Sequence, residues 1–123
     1  MTLRALALGF ALAAAILLLF YVAGPLFFVT GRRAFQLNFT GAAILGLAFG
    51  LVAHRLARAR AMEAARVGGL AAVPGLLVLA AVASHFAVFF PGLDPALDKV
   101  FGSLALWFYG FLLVGTLWTA GRA

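Results

Sequence analysis

Four apolar runs, each close to the length needed to cross a bilayer, constrain this chain more than anything else in its sequence. At 1.5 Å of rise per residue, a helix needs about 20 apolar residues to cover a hydrocarbon core of roughly 30 Å. Residues 5–29, 37–54, 67–90 and 100–119 are of that kind. Hydrophobic residues make up 67% of the 123 positions and charged ones only 10%, well past the roughly half-apolar content of soluble domains. A unit this small has no interior large enough to hide such a surface, and leaving it in water costs about 25 cal/mol per Å². The sequence therefore predicts an all-α integral membrane protein, a four-transmembrane-helix bundle forming one domain over residues 1–123, with the lipid bilayer as its first partner.

The first run follows Arg4 and passes the small residues Val22-Ala23-Gly24, a pattern that a signal peptide would share. Its apolar stretch is too long for such a peptide and Pro25 would follow the cut, so a retained span kinked at Gly24-Pro25 is expected. The second run is short, bracketed by Arg32-Arg33 and His54-Arg55, and apolar on every face, which predicts a spanning rather than an interfacial helix. The third carries Pro74 and His85 and is stopped by Pro91. Beyond it, Asp94-Pro95 has the order of an N-cap followed by proline at the first helical position.

Charge orients the bundle. Nine Lys and Arg against Glu63, Asp94 and Asp98 give a net charge of +6. With four spans, Arg4, Arg55, Arg58, Arg60, Arg66 and Arg122 fall on one side, while Arg32, Arg33, Lys99 and both aspartates fall on the other. The positive-inside rule then places both termini in the cytoplasm and makes 55–66 a cytoplasmic loop whose Arg55, Arg58, Arg60 and Arg66 touch the membrane surface. That loop, RLARARAMEAAR, is rich in helix formers and is expected to carry the second helix out of the membrane. A three-span arrangement with a re-entrant second run suits Arg32-Arg33 better, but it leaves backbone groups unpaired in lipid at several kcal/mol each, which decides for four. No nucleic-acid partner is expected, because the basic residues edge apolar runs instead of forming a basic aromatic face. The richness in Arg, Ala and Gly matches bacterial coding sequences, so the membrane is taken as a bacterial inner membrane.

Little in the chain carries chemistry. The absence of cysteine excludes disulfides, thiolate metal sites and cysteine nucleophiles together. No nucleophile elbow, phosphate loop or zinc-protease motif occurs, and no Asp, Glu, Lys or Arg lies deep in a span, where proton-coupled carriers keep an exchangeable charge. No catalytic residue, metal or cofactor is assigned, and the chain is not expected to be an enzyme. Tyr21, His85 and Tyr109 remain as ligand or pathway candidates. A neutral imidazole also makes His85 a candidate haem ligand, whereas His54 belongs to the opposite end of the bundle and cannot share its iron.

Two sets of small residues suggest close helix packing. Gly46 and Gly50, extended by Ala42 and His54 at the same spacing, form a smooth stripe on the second helix. Gly68, Ala71, Ala72 and Gly75 surround Pro74 on the third, and the two stripes are expected to pack on each other. Trp118 fits the interfacial aromatic belt, while Trp107 and Tyr109 lie deeper and are expected to face another helix or subunit. Short loops, a lack of convergent polar residues and these deep aromatics predict a non-catalytic subunit or accessory protein of a membrane assembly, partnered by another membrane polypeptide or by copies of itself. The alternatives are an oligomeric small transporter or channel lined by Tyr21, His85 and Tyr109, and a haem-binding subunit using His85.

Overall fold

A computed structural model of the chain describes residues 2–27, 32–90 and 98–122. Its elements are α1 (Thr2–Phe27), α2 (Arg32–Leu56), a 3-10 turn at Ala61–Glu63, α3 (Ala64–Ser84), the single-turn α4 (Phe86–Phe89) and α5 (Asp98–Arg122). No strand occurs among the described residues. Thr2–Val22, Gln36–Leu56, Ala61–Ser84 and Phe101–Arg122 are each long and apolar enough to cross a bilayer. The chain is a multi-pass membrane protein folded as a four-helix bundle.

Helices α2 and α5 outrun the apolar stretches that announce them. Helix α2 has 25 residues and begins at Arg32, five positions before its apolar run. Hydropathy marks the depth of the hydrocarbon, whereas the helix continues for as long as its backbone groups need partners, and Arg, Gln and Asn do not interrupt it. An unbroken helix of this length spans, so the re-entrant alternative falls. Helix α1 likewise stays helical through Gly24-Pro25 to Phe27. The Asp94-Pro95 cap and Pro91 lie outside the described residues.

Contacts between the helices fix their directions. Ala5 clusters with Ala53, Ala57 and Val67 at one end, and Phe20 meets Phe101 edge to face at the other, with ring centroids 5.0 Å apart. Gly50 lies against Leu112 and Gly115, Gly68 against Thr116, and Gly75 against Tyr109. Neighbours in sequence therefore run antiparallel, and α2 and α5 run parallel. The core has a small end of alanines and a large end where Phe86, Phe90 and Phe101 interlock at centroid distances of 5.0–5.8 Å. In packing order the helices run α1, α3, α5, α2, and α1 barely touches α2.

The basic loop departs from the expected helical extension, because α2 stops at Leu56. Arg58 takes a left-handed backbone conformation, φ 54°. Its N–H donates to the Arg55 carbonyl at 3.1 Å, and the Ala59 N–H reaches back to the His54 carbonyl at 2.8 Å. These two bonds are the Schellman closure of a helix end, a place usually taken by glycine because any other residue pays steric strain there. Arg58→Gly should accordingly raise stability by about 1 kcal/mol, read as a higher midpoint of thermal denaturation in detergent; an unchanged or lower midpoint would show that the arginine side chain offsets its backbone strain.

The third run is also interrupted, at Ser84-His85. Ser84 Oγ donates to the Ala80 carbonyl at 2.9 Å, and His85 Nδ1 lies 3.1 Å from the Ala81 carbonyl. Both side chains compete for carbonyls that the helix would use, and α3 gives way to a turn before α4 resumes.

Candidate functional site

Glycines decide how closely α5 approaches its neighbours. At Gly46 and Gly50 the hydrogen standing where a Cβ would be points at the Phe108 and Leu112 carbonyls of α5, and at Gly115 it points back at the Leu47 carbonyl of α2. These are Cα–H···O contacts, which only a bare glycine permits at such separation. The stripe on α2 thus packs against α5 and not against the α3 stripe. Gly68 and Gly75 of α3 also face α5, receiving Thr116 and Tyr109, while Gly9 of α1 receives Pro74. The expected pairing of the two stripes is corrected accordingly: parallel α2 and α5 meet glycine to glycine, and α3 fits its notches around larger side chains.

The polar candidates occupy three separate places. Tyr21 is 71% exposed on the outer side of α1. Exposed His85 sits in the turn between α3 and α4. Because a carbonyl can only accept, its Nδ1 is the donor to Ala81. Tyr109 is only 1% exposed, its hydroxyl pressed into the Gly75 notch without a hydrogen-bond partner among the described residues. Trp107 needs no other subunit for its N–H: Nε1 donates to the Phe39 carbonyl on α2 at 2.9 Å, and the indole packs edge-on against Phe39 and Phe111. Trp107→Phe should cost about 0.5–1.5 kcal/mol through that bond, seen as a lower denaturation midpoint; no loss would mean that the bond contributes nothing net.

Six of the nine basic residues gather at one end. Arg4, Arg55, Arg58, Arg60, Arg66 and Arg122 are all exposed there, and the Arg122 guanidinium lies 5.8 Å from the centre of the Trp118 ring. Glu63 Oε1 accepts from the Arg60 backbone N–H at 3.4 Å. His54, expected at the interface, is 8% exposed, and its Nδ1 has no partner among the described residues.

The loose meeting of α1 and α2 leaves a lateral cleft of about 180 Å³ whose floor is α5. Ile16 and Phe20 form one wall, Gly41 and Leu45 the other, and Leu104 and Phe108 the floor. Asn38 is the one polar residue among those lining it. Among the described residues a Cβ built on Gly41 would meet nothing within 4 Å, so this glycine keeps space open instead of admitting a neighbouring helix. No sequence pattern marks the cleft, because its existence depends on which pair of helices fails to touch.

Comparison with known families matches residues 27–122 to the model of DUF5367, a family of unknown function. The chain belongs to that family. The DUF5367 match takes in all of α2 to α5, and with them the α2–α5 and α3–α5 contacts and two of the three sides of the cleft, leaving nearly all of α1 outside. No curated protein and no solved structure matches the chain.

Proposed function

We propose that this protein is a non-catalytic component of a bacterial inner membrane, a small subunit or accessory chain of a larger membrane assembly, with both termini in the cytoplasm. The observation that carries the reading is the dispersal of the polar candidates. Tyr21, His85 and Tyr109 lie on an outer face, at a helix break and in the packed interior, so no single copy gathers them around a substrate. The outward side of α5 supports the reading as well. Ser103, Leu106, Trp107, Gly110 and Val114 surround a shallow depression there, and among the described residues Gly110 has no neighbour within 4 Å of a built Cβ, a surface on which another membrane helix can lie closely.

Native mass spectrometry of the protein, extracted from its own host in mild detergent, should show a foreign polypeptide at fixed stoichiometry. A monodisperse species containing this chain alone would overturn the proposal. Orientation is tested separately. Since the chain has no cysteine, Arg58→Cys and Lys99→Cys each create a single thiol. In intact cells a membrane-impermeant maleimide should modify the second and spare the first; the reverse pattern would invert the topology.

A further inference from the structure

We propose that the cleft between α1 and α2 holds one acyl chain of an anionic phospholipid, whose headgroup is met by the basic residues at the start of α2 and α5. Three observations lead there. First, the cleft opens sideways from a bundle whose surroundings are hydrocarbon, and it is walled by apolar residues apart from Asn38. Apolar cavities of about 150 Å³ stay dry and take up apolar guests, and an unfilled space would forfeit the dispersion contacts of its lining. A lipid tail is the apolar guest that the bilayer supplies at high concentration.

Second, the cleft belongs to one leaflet. Its α2 wall runs through positions 37–45 and its floor through 104–108, so it begins within about two turns of the starts of the parallel helices α2 and α5 and stays in the half of each span nearer those starts. A chain seated there has its headgroup at that end of the bundle, not at the arginine-rich loop.

Third, on the orientation proposed above, on which this inference rests, that end carries charge that the topology rule leaves unexplained. Arg32 and Arg33 stand in the first turn of α2, and exposed Lys99 in the first turn of α5. Arg33 precedes the α2 wall by four residues, about 6 Å along the helix. Asp98 opens α5, and Asp94 falls in the 91–97 segment outside the described residues. A basic pair on the side where the insertion rule disfavours it is explained if it binds a phosphate, at about 1 kcal/mol per basic residue near the surface. The cleft and the basic start of α2 then lie at one end of the bundle, with the tail fixing position and the headgroup fixing choice.

The test uses the full chain in vesicles of phosphatidylethanolamine and phosphatidylglycerol, with a phosphatidylglycerol probe carrying a photoactivatable group on its acyl chain. Label should concentrate on positions 37–45 and 104–108. Gly41→Leu, whose added atoms enter open space, should cut that labelling about tenfold while leaving the protein folded. Leu45→Trp, at a position 64% exposed, narrows the same wall and provides a second blocking variant. Arg32→Gln with Arg33→Gln should reduce the preference for phosphatidylglycerol over a phosphatidylethanolamine probe by roughly tenfold or more, with the labelled positions unchanged. Label spread evenly over the outward faces of all four helices would overturn the proposal. So would wild-type labelling in both blocking variants, cross-linking of the cleft to a second copy, or an unaltered headgroup preference in the double arginine variant.

Discussion

Gly50→Leu should unseat α2 from α5 and cost about 3 kcal/mol or more, at the upper end of what overpacking does. The built Cβ meets the Leu112 carbonyl, with the Cα of Gly115 at 3.0 Å. Both obstacles are backbone atoms of a packed helix, so no rotamer change relieves them, and the two helices must move apart along their length. Separation also loses the Cα–H···O contacts at Gly46 and Gly115 and weakens the bond from Trp107 to the Phe39 carbonyl. Thermal denaturation in detergent reads the loss, and Gly41→Leu is the control, since the same helix gains the same side chain where nothing lies within 4 Å. Equal behaviour of the two variants would mean that α2 and α5 are not in this contact.

Tyr109→Ala should be as damaging, at about 3–5 kcal/mol, by emptying the interior of an aromatic ring. Tyr109→Phe should stay within about 0.5 kcal/mol of the parent or exceed it in stability, because it removes a hydroxyl that is buried without a partner. The pair separates packing from polarity at one position. Gly75 extends the test, since a Cβ there meets the Tyr109 hydroxyl and lies 2.9 Å from Cε1. Gly75→Ala should therefore cost about 1–3 kcal/mol alone and measurably less in the Tyr109→Phe background. A Tyr109→Phe variant as unstable as Tyr109→Ala would show that the hydroxyl has a partner after all.

The number of spans was readable in the sequence because hydrocarbon imposes one rule on every backbone group it surrounds. That rule acts on Leu37 or Phe101 whatever their neighbours are. Helix ends were less readable: Arg32 belongs to α2 although it is charged, and Arg58 ends the loop turn in a conformation that favours glycine. Gly46 and Gly50 announced a close contact, yet nothing in their spacing could say that Gly115 lies opposite, since the choice between α3 and α5 is made by the whole bundle. Trp107 shows the same limit, for its bond goes to the carbonyl of Phe39, a group every residue owns and no side chain advertises. The cleft was wholly illegible, because Ile16, Gly41 and Leu104 come together through an absence of contact between α1 and α2.

The position of α5 between α3 and α2 in the packing order has a consequence for biosynthesis. Helices α1 and α3 can associate through Gly9 and Pro74 as soon as both are inserted, but the glycine face of α2 has no match until the helix that follows them all enters the membrane. Domains assemble as they are made, so α2 waits beside a half-built bundle with its close-packing surface turned to lipid. A ribosome stalled before Phe101 would leave three inserted helices and two vacant glycine faces, which is the kind of orphan surface that membrane quality control is placed to meet.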